Sequence, residues 1–377
     1  MTRQRMGLDL VPAASPRKAL GTARYVRRQT EALLSLDCPW TWGVVVTPAQ
    51  AEEAWLQDAT LAVVKDEACS SLRHGLWRVG KEWKALGCDA ALGSAYFTPA
   101  RRLPVLVNFF DSNVYERWER RKLTPGSILF RAALQMSVRK AERLFVLSDY
   151  CRERLSTVFP RYASKFVTVP VGCGPLADPV AVPPASWSFA GSSYCLFAGA
   201  FSDNKNQRGL LEAWRILQMQ RSDLPQLVLP GRCASAYMTQ TIRPLIAALP
   251  RPEEVSLPGF VSDAELTWLY THATAYLHPA YGEGFGMPVT EAMLCGAPVA
   301  CSNTSSLPET GGQAAVYFSP ADPADMAAVI DTLLADPVLR GRLVEEGRQR
   351  ARSFSWQKNA EVVAGHIEAL LGRTARR

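Results

Sequence analysis

The sequence predicts an α/β protein with two doubly wound domains, each built on a mostly parallel sheet with helices on both faces. Short apolar runs alternate with amphipathic stretches along the chain, which is the pattern of parallel strands joined by helices. The length of 377 residues suits about two domains. The alternation also restarts after residues 173–193, a segment rich in Pro, Ala, Gly and Ser that lacks periodicity and is the predicted linker.

The apolar runs of the first half predict buried strands at residues 6–11, 41–46, 103–110, 143–148 and 165–171. Amphipathic patterns between them predict helices at residues 23–36 and 127–144. The second half repeats this order, with predicted strands at residues 194–200, 226–231, 274–280 and 297–302. Its predicted helices lie at residues 206–220, 263–273, 288–296, 323–336 and 338–354. Ligands of doubly wound sheets bind at the carboxyl ends of the strands, so the loops after these runs are the candidate sites.

The composition indicates which kind of partner the protein binds and in which cellular compartment it resides. A formal charge of +7 and a pI near 9.0 favour an anionic partner, which could be nucleic acid, an anionic membrane or a phosphorylated substrate. The nine cysteines are dispersed without a C-x-x-C pair, which is typical of reduced thiols in a cytosolic protein. No apolar run has the length of a signal peptide or of a membrane-spanning helix, so we expect a soluble protein.

The most specific local pattern is YGEGFGMPVTEAM at residues 281–293. Its first part, residues 281–286, is called the glycine loop below. Gly284 and Gly286 let main-chain N–H groups approach a ligand without interference from a Cβ. Pro288 suits the first position of a helix that ends before Gly296. Loop amides and a helix N-terminus together favour phosphate oxygens, so this segment predicts an anion site.

Charged residues around the glycine loop suggest which anion binds. Glu291 is expected in the first helical turn, where its carboxylate accepts hydrogen bonds from vicinal sugar hydroxyls. Glu283 would repel phosphate unless it faces a hydroxyl-bearing group, and Lys205 follows the first strand of the same domain as a point charge for a diphosphate. A nucleoside diphosphate sugar supplies all these groups. The alternative is an ordinary glycine-rich turn with two helix-start acids and a solvated lysine. His278 is interpreted as a structural histidine.

Three segments resemble the retaining glycosyltransferases of family four, which have the GT-B fold. They are YCLFAGAFSDNKNQRGLLEAW at residues 194–214, the long block from VSLPGF to PETGG at residues 255–312, and RARSFSWQKNA at residues 350–360. The resemblance is extensive over residues 194–360 and weaker over residues 6–172. It implies two Rossmann-like domains facing a central cleft, with a C-terminal helix that crosses back to the first domain. The expected boundaries are residues 1–175, 176–355 and 356–377.

The resemblance also implies roles for individual residues. Glu283 faces the donor sugar and Lys205 neutralises the leaving phosphate, so these two are the expected catalytic residues. The expected donor-binding residues hold the diphosphate, the ribose or the nucleobase, and they are Gly284, Phe285, Gly286, Met287, Glu291, Arg232, Phe260 and Val261. The expected acceptor side of the cleft comprises Gly21, Phe110 and Asp111. No metal or cofactor is implied, and no Asp-x-Asp pair is present.

Two positions depart from the family pattern. Phe110 precedes Asp111 where many relatives carry a histidine, and the only histidine in the first half is His74. Ala200 stands where relatives usually have an arginine paired with the lysine; Arg232, after the next strand, is a candidate substitute or a surface residue. These departures are compatible with altered acceptor chemistry, with compensation from elsewhere, or with a protein that binds donor without transferring sugar.

The leading functional hypothesis is a retaining transferase that moves a sugar, first of all mannose from GDP-mannose, to a glycan or lipid-linked glycan during surface polysaccharide synthesis. UDP- and dTDP-sugars stay open as donors. The alternatives are a nucleotide-sugar epimerase of the same fold and a degenerate donor-binding protein. The basic stretch at residues 116–144 is either a solvated helix face or a patch for an anionic membrane on the cytoplasmic side. A nucleic-acid partner is disfavoured because the charge is diffuse and no reading motif accompanies it.

Overall fold

The computed structural model describes residues 3–14, 20–64, 74–94, 96, 103–110, 125–189 and 191–374. The chain forms two compact units. The first unit comprises Met1–Gly172 together with Ser355–Arg377, and the second comprises Cys173–Phe354. The C-terminal helix therefore belongs to the unit that contains the N-terminus. Within the described residues, no helix combines the length and the apolar character that crossing a membrane requires.

The first unit contains a parallel sheet in the order β3-β2-β1-β4-β5-β6-β7. Its strands are β1 (Arg5–Asp9), β2 (Thr41–Val46), β3 (Thr60–Val63), β4 (Ala90–Gly93), β5 (Val105–Asn108), β6 (Arg143–Val146) and β7 (Phe166–Thr168). The α-helices of the described part are Leu20–Leu34, Pro48–Ala51, Val79–Ala85, Pro125–Lys140, Asp149–Val158 and Trp356–Thr374. Strands β4 and β5 are buried along their whole length, which is typical of a sheet covered on both faces.

Buried hydrogen bonds attach the C-terminal helix Trp356–Thr374 to the first unit. Asn359 lies at the centre: its Nδ2 donates to the carbonyl oxygen of Pro170 at 2.6 Å and to the hydroxyl of Tyr25 at 3.1 Å. Its Oδ1 accepts a hydrogen bond from Gln29 Nε2 at 3.0 Å. Because buried amide groups are costly to leave unpaired, these bonds specify where the helix packs.

The second unit repeats the plan with the strand order β10-β9-β8-β11-β12-β13, again parallel. Its strands are β8 (Tyr194–Leu196), β9 (Gln226–Val228), β10 (Val255–Ser256), β11 (Ala275–His278), β12 (Val299–Ser302) and β13 (Ala315–Phe318). Its α-helices are Gln207–Gln220, Ser235–Tyr237, Arg243–Ala247, Asp263–His272, Met287–Cys295, Leu307–Gly311, Pro323–Ala335 and Pro337–Arg352. Side chains alternate along β8: Tyr194 and Leu196 pack into one core cluster and Cys195 into another, so both faces of this sheet are covered.

The predicted fold class is confirmed, whereas the predicted linker at residues 173–193 is wrong for much of its length. Trp187 and Phe189 are buried and stack with ring centroids 5.4 Å apart. The ring of Phe189 also meets Tyr194 edge-on at 5.5 Å, inside the core of the second unit. The segment lacks periodicity because it runs across the domain as irregular chain, and its aromatic side chains attach it there.

Candidate active site

Loops that follow β8, β11 and β12 meet because these strands are neighbours in the second sheet. The glycine loop follows β11 and is held from both sides. Asn204, after β8, donates its Nδ2 hydrogen to the carbonyl oxygen of Gly282 at 2.7 Å. On the other side, Glu283 N donates to Ser305 Oγ at 3.1 Å and Ser306 Oγ donates to the carbonyl oxygen of Glu283 at 3.0 Å. The backbone of the loop is therefore fixed without a ligand.

Gly286 ends the glycine loop and is the N-cap of the helix Met287–Cys295. Its φ of 99° lies in the left-handed region, and an added Cβ would lie 2.7 Å from Leu307 Cδ2. Glycine is required here for both reasons. The ring of Phe285 is buried and meets Phe354 edge-on at a centroid distance of 5.1 Å. The Phe285 side chain is therefore used for packing, and any contact with a donor would come from its main chain.

Glu283 accepts two hydrogen bonds on one carboxylate oxygen. Lys205 Nζ and His278 Nε2 both contact Oε1, the latter at 2.8 Å. The side chain of Glu283 is 14% exposed and that of Lys205 is 22% exposed. Burial alone would raise the pKa of Glu283, but the Lys205 ammonium and the His278 hydrogen bond outweigh it and lower the pKa to about 2. Glu283 is therefore ionised near neutral pH.

Lys205 is placed by two successive caps. Lys205 is the last residue of a short 3-10 turn, Asp203–Lys205. Ser202 is the N-cap of this turn, and its hydroxyl accepts a hydrogen bond from Lys205 N. Asn206 then takes a left-handed conformation with φ of 56° and caps the helix Gln207–Gln220 through Gly209 N. Lys205 thus lies where the chain turns sharply between two helical segments. Its side chain contacts the carboxylate of Glu283, which is 78 positions later in the sequence.

His278 is fully buried and both of its ring nitrogens have partners. Nε2 faces Glu283, and Nδ1 lies 2.9 Å from the Tyr276 hydroxyl. Burial lowers the pKa of His278, opposed by the hydrogen bond to Glu283. The interpretation of His278 as a structural histidine agrees with this burial, but the sequence did not reveal that its ring contacts the carboxylate of Glu283.

Glu291 does not lie in the first helical turn, contrary to expectation. The helix begins at Met287, with Pro288 in second position, so Glu291 is its fifth residue. A contribution of the helix dipole to this carboxylate is therefore small, since that effect falls off within the first turn. Glu291 is buried, and its Oε2 lies 3.5 Å from the hydroxyl of Tyr270.

The loops after β9 and β10 bring Arg232 and Phe260 together. The guanidinium of Arg232 lies over the Phe260 ring, 4.2 Å from its centroid, and that ring is 51% exposed. Gly231 N donates to the carbonyl oxygen of Gly259 at 2.7 Å, which ties the two loops. Val261 is partly buried against the core. The structure thus stacks Arg232 on an exposed ring and shows no pairing of it with Lys205.

The expected acceptor residues lie in the first unit. Phe110 follows β5 and is only 4% exposed, with edge-on contacts to Tyr25 at 5.2 Å and to Tyr96 at 5.5 Å. Its ring is therefore used for packing within this unit. Gly21 is exposed in the first turn of the helix Leu20–Leu34, where an added Cβ would have no neighbour within 4 Å. Asp111 lies outside the described residues.

Several residues that hold this site were missed from the sequence. Tyr270, Tyr276, Ser305 and Ser306 were not singled out, although each contacts one of the two glutamates or a residue that does. A signal was present for one of them. Tyr276 and His278 are two positions apart on a strand, so they project to the same face.

Both the sequence and the structure are similar to those of known proteins. The sequence model of the family described as Glycosyl transferases group 1 matches residues 185–350. O-antigen chain mannosyltransferase B of Escherichia coli is 29% identical over 272 residues, an alignment that covers 70% of each chain. Sucrose-phosphate synthase from Thermosynechococcus elongatus has a similar structure, with a TM-score of 0.75 at 21% identity over 98% of this chain and 100% of that chain. Anabaena HepE in complex with UDP and glucose gives 0.70 at 16% identity over 97% and 100%.

The fold is GT-B, in which two Rossmann-like domains follow one another. Residues 185–350, which include the glycine loop, match the sequence model of the glycosyl transferases group 1 family.

Proposed function

We propose that this protein is a retaining, metal-independent hexosyltransferase that uses a nucleotide sugar, first of all GDP-mannose, to extend a glycan in surface polysaccharide synthesis. The contact of Lys205 and His278 with the ionised Glu283 is the observation that carries this proposal. A cation and an oriented carboxylate then lie next to a preformed anion loop. The mannosyltransferase name of a relative supports the choice of sugar and pathway.

The proposed reaction assigns a task to each part of the cluster. An acceptor hydroxyl oxygen attacks the anomeric carbon while the bond from that carbon to the phosphate oxygen breaks, and the hydroxyl proton passes to the departing phosphate. Negative charge grows on the diphosphate, where glycine-loop amides and Lys205 stabilise it. Glu283 Oε1 is taken by Lys205 and His278, which leaves Oε2 for a hydroxyl of the donor sugar.

The nucleoside part of the donor has its own proposed partners. Glu291 accepts hydrogen bonds from the ribose hydroxyls, in keeping with its buried carboxylate. The nucleobase stacks on the exposed ring of Phe260, beside Arg232 and Val261. In this proposal Arg232 keeps its contact with the ring of Phe260 and takes part in holding the nucleobase, and it does not take the place of the arginine that relatives carry at the position of Ala200.

The acceptor is proposed to be a lipid-linked glycan at the cytoplasmic face of an anionic membrane. On the helix Pro125–Lys140, Ile128 is 53% exposed and Leu129 is 59% exposed, and Arg139 and Lys140 are basic residues in its last turn. A helix that carries both exposed apolar side chains and cations suits a membrane interface. Co-sedimentation with vesicles rich in phosphatidylglycerol should fall for Ile128→Asp, and binding that is equal in the variant would contradict the proposal.

The donor is tested by a thermal-shift panel of GDP-, UDP- and dTDP-sugars. At a free concentration of about 100 times Kd, a donor that binds only the native state adds about 2.7 kcal/mol of stability. The donor that binds is then used in single-turnover transfer to lipid-linked and soluble glycans, with the anomeric configuration of the product read by NMR. Turnover of donor to an epimer without acceptor would establish the epimerase alternative. Binding with neither transfer nor hydrolysis would establish a donor-binding protein, as the departures at Phe110 and Ala200 would allow.

A further inference from the structure

A chain of buried hydrogen-bonding groups runs between the two glutamates of the glycine-loop motif. It starts at Glu283 Oε1, passes through both nitrogens of His278, and reaches the hydroxyl of Tyr276. Tyr276 is hydrogen-bonded to Tyr270, whose hydroxyl lies 3.5 Å from Glu291 Oε2. The three connecting side chains are at most 1% exposed. A buried polar group without a partner destabilises the folded protein, so each of these groups depends on the hydrogen bonds along the chain.

The chemistry of the groups sets the direction of the protons. Glu283 is ionised, so His278 must present a proton to it from Nε2. A neutral His278, as its lowered pKa requires, then has a bare Nδ1 that accepts a hydrogen bond. Burial raises the pKa of Tyr276 well above its ordinary value, so its hydroxyl keeps its proton. That hydroxyl lies 2.9 Å from Nδ1 and 3.4 Å from the carbonyl oxygen of Ala198, so we assign the proton to the shorter contact, the one with Nδ1.

At the other end of the chain, two groups can accept the hydroxyl proton of Tyr270. One is the oxygen of Tyr276, which has given its own proton to His278, and the other is the carboxylate of Glu291. Ribose hydroxyls that donate to Glu291 would satisfy that carboxylate and direct the Tyr270 proton towards Tyr276.

We propose that His278, Tyr276 and Tyr270 couple nucleotide binding at Glu291 to the placement of Glu283, with His278 as a positioning residue for that carboxylate. The inference rests on the proposed function, because it takes Glu291 to be the ribose site and Glu283 to be the sugar site. In this arrangement the imidazole and Lys205 hold Oε1, so the carboxylate plane is fixed and Oε2 is presented to the donor sugar. A bound nucleotide strengthens the chain at its far end and thus steadies the carboxylate before transfer.

The test compares His278→Phe, which removes both ring nitrogens, with His278→Gln, which keeps a donor near the position of Nε2. We expect His278→Phe to lower kcat by about ten- to a hundred-fold, the effect of losing a hydrogen bond to a charged group. The Kd of the free nucleoside diphosphate should change much less than kcat, by no more than about five-fold, because the lost bond is made to Glu283 and reaches Glu291 only through the chain. His278→Gln should recover most of kcat. Equal kcat in the Phe variant and the parent, or no recovery in the Gln variant, would overturn the positioning role.

Two tyrosine variants distinguish the loss of a hydrogen bond within the chain from a general effect on packing. Tyr276→Phe removes the donor to His278, whereas Tyr194→Phe removes an equally buried hydroxyl that donates to the carbonyl oxygen of Leu269 at 2.8 Å, outside the chain. Tyr276→Phe should lower kcat by about five-fold or more while Tyr194→Phe keeps it, although both lose a buried hydrogen bond. An equal loss in both variants would assign the effect to packing. This pair also decides the matter if His278→Phe does not fold.

Coupling itself is measured with a double variant. Glu291→Gln and His278→Phe act on the two ends of one chain, so their combined effect on kcat should be smaller than the product of the single effects by at least about five-fold. Multiplicative effects would overturn the coupling. If the parent protein binds no nucleotide sugar at all, the proposed function fails together with this inference. If the parent transfers sugar and the variants match it, only this inference fails.

Discussion

Replacing Lys205 by Gln should move the pH dependence of turnover, because Lys205 is the main group that keeps Glu283 ionised. Burial raises the pKa of this carboxyl, and the nearby ammonium is the largest influence that lowers it. The ordinary pKa of such a carboxyl is 4.5, and the pKa of Glu283 is about 2. The protein therefore stabilises the ionised form over the protonated form by about 3 kcal/mol more than water does. Without the ammonium, we expect the pKa of Glu283 to rise by about one to three units, the usual effect of losing an adjacent opposite charge.

Because the pKa of Glu283 is lowered in the folded protein, its removal from control by Lys205 should move the acid limb of kcat to higher pH. A carboxyl whose pKa is lowered in the folded protein is ionised at neutral pH, and it loses that charge only as the pH falls through the lowered value. The parent protein should therefore show no acid limb from Glu283 above about pH 3, one unit over the pKa. In Lys205→Gln the acid limb of kcat should appear about one to three units higher. At pH 7.5 kcat should also fall more than donor affinity, because the lost cation acts on charge that develops in the transition state.

The assay is single-turnover transfer with labelled donor between about pH 3 and pH 8, with circular dichroism at each pH to confirm folding. Arg208→Gln is the matched control, since it removes a cation three residues away whose partner is the partly exposed Glu212. The control should keep the parental profile, which stays flat down to the lowest pH of this range. A profile of Lys205→Gln that stays equally flat would refute the claim that Lys205 sets the charge state of Glu283.

Four further outcomes are expected. Glu291→Gln should raise the Kd of the nucleoside diphosphate by about ten- to a hundred-fold by calorimetry, and unchanged affinity in a folded variant would remove Glu291 from the site. Gly286→Ala should destabilise the protein by about 1–3 kcal/mol, seen as a lower Tm, because its φ is 99° and its Cβ would meet Leu307; an unchanged Tm would contradict this. Phe110→His should lower Tm and leave nucleotide affinity unchanged, since the ring is buried among aromatic neighbours; altered affinity at an unchanged Tm would instead place Phe110 at the ligand. Excess EDTA should leave turnover unchanged, and loss that added Mg²⁺ or Mn²⁺ restores would show a metal requirement.

The sequence predicted the fold class and the glycine loop because both depend on local pattern. Alternating apolar and amphipathic runs indicate parallel sheets, and Gly286 has the left-handed conformation that a strand-to-helix turn of this kind needs. Edge strands β3 and β10 escaped prediction because they are short and only partly buried, so their sequences lack a continuous apolar run. The burial of Trp187 and Phe189 was not predicted because the segment around them has the composition of a linker.

The details of the site depend on contacts between distant parts of the sequence. The pairing of Lys205 with Glu283 spans 78 positions and is decided by the order of β8 and β11 in the sheet. The role of His278 depends on which face of β11 it occupies, and a strand buried on both faces gives no polar alternation from which to read that face. Glu291 was expected as the fourth residue of a helix that starts at Pro288, and it is the fifth residue of a helix that starts at Met287, because the exact first residue of a helix is poorly specified by sequence.

The attachment of residues 173–189 to the second unit bears on how this protein can be recombined with its relatives. A chimera that exchanges one domain has to be cut twice, because the chain enters the second unit after Gly172 and leaves it after Phe354. Joining at residue 194, where the regular strands resume, would separate Trp187 and Phe189 from the side chains of their own core and graft a foreign segment over Trp268. Junctions at residues 172/173 and 354/355 keep each aromatic anchor with its native neighbours, so either unit can be exchanged with its own core intact.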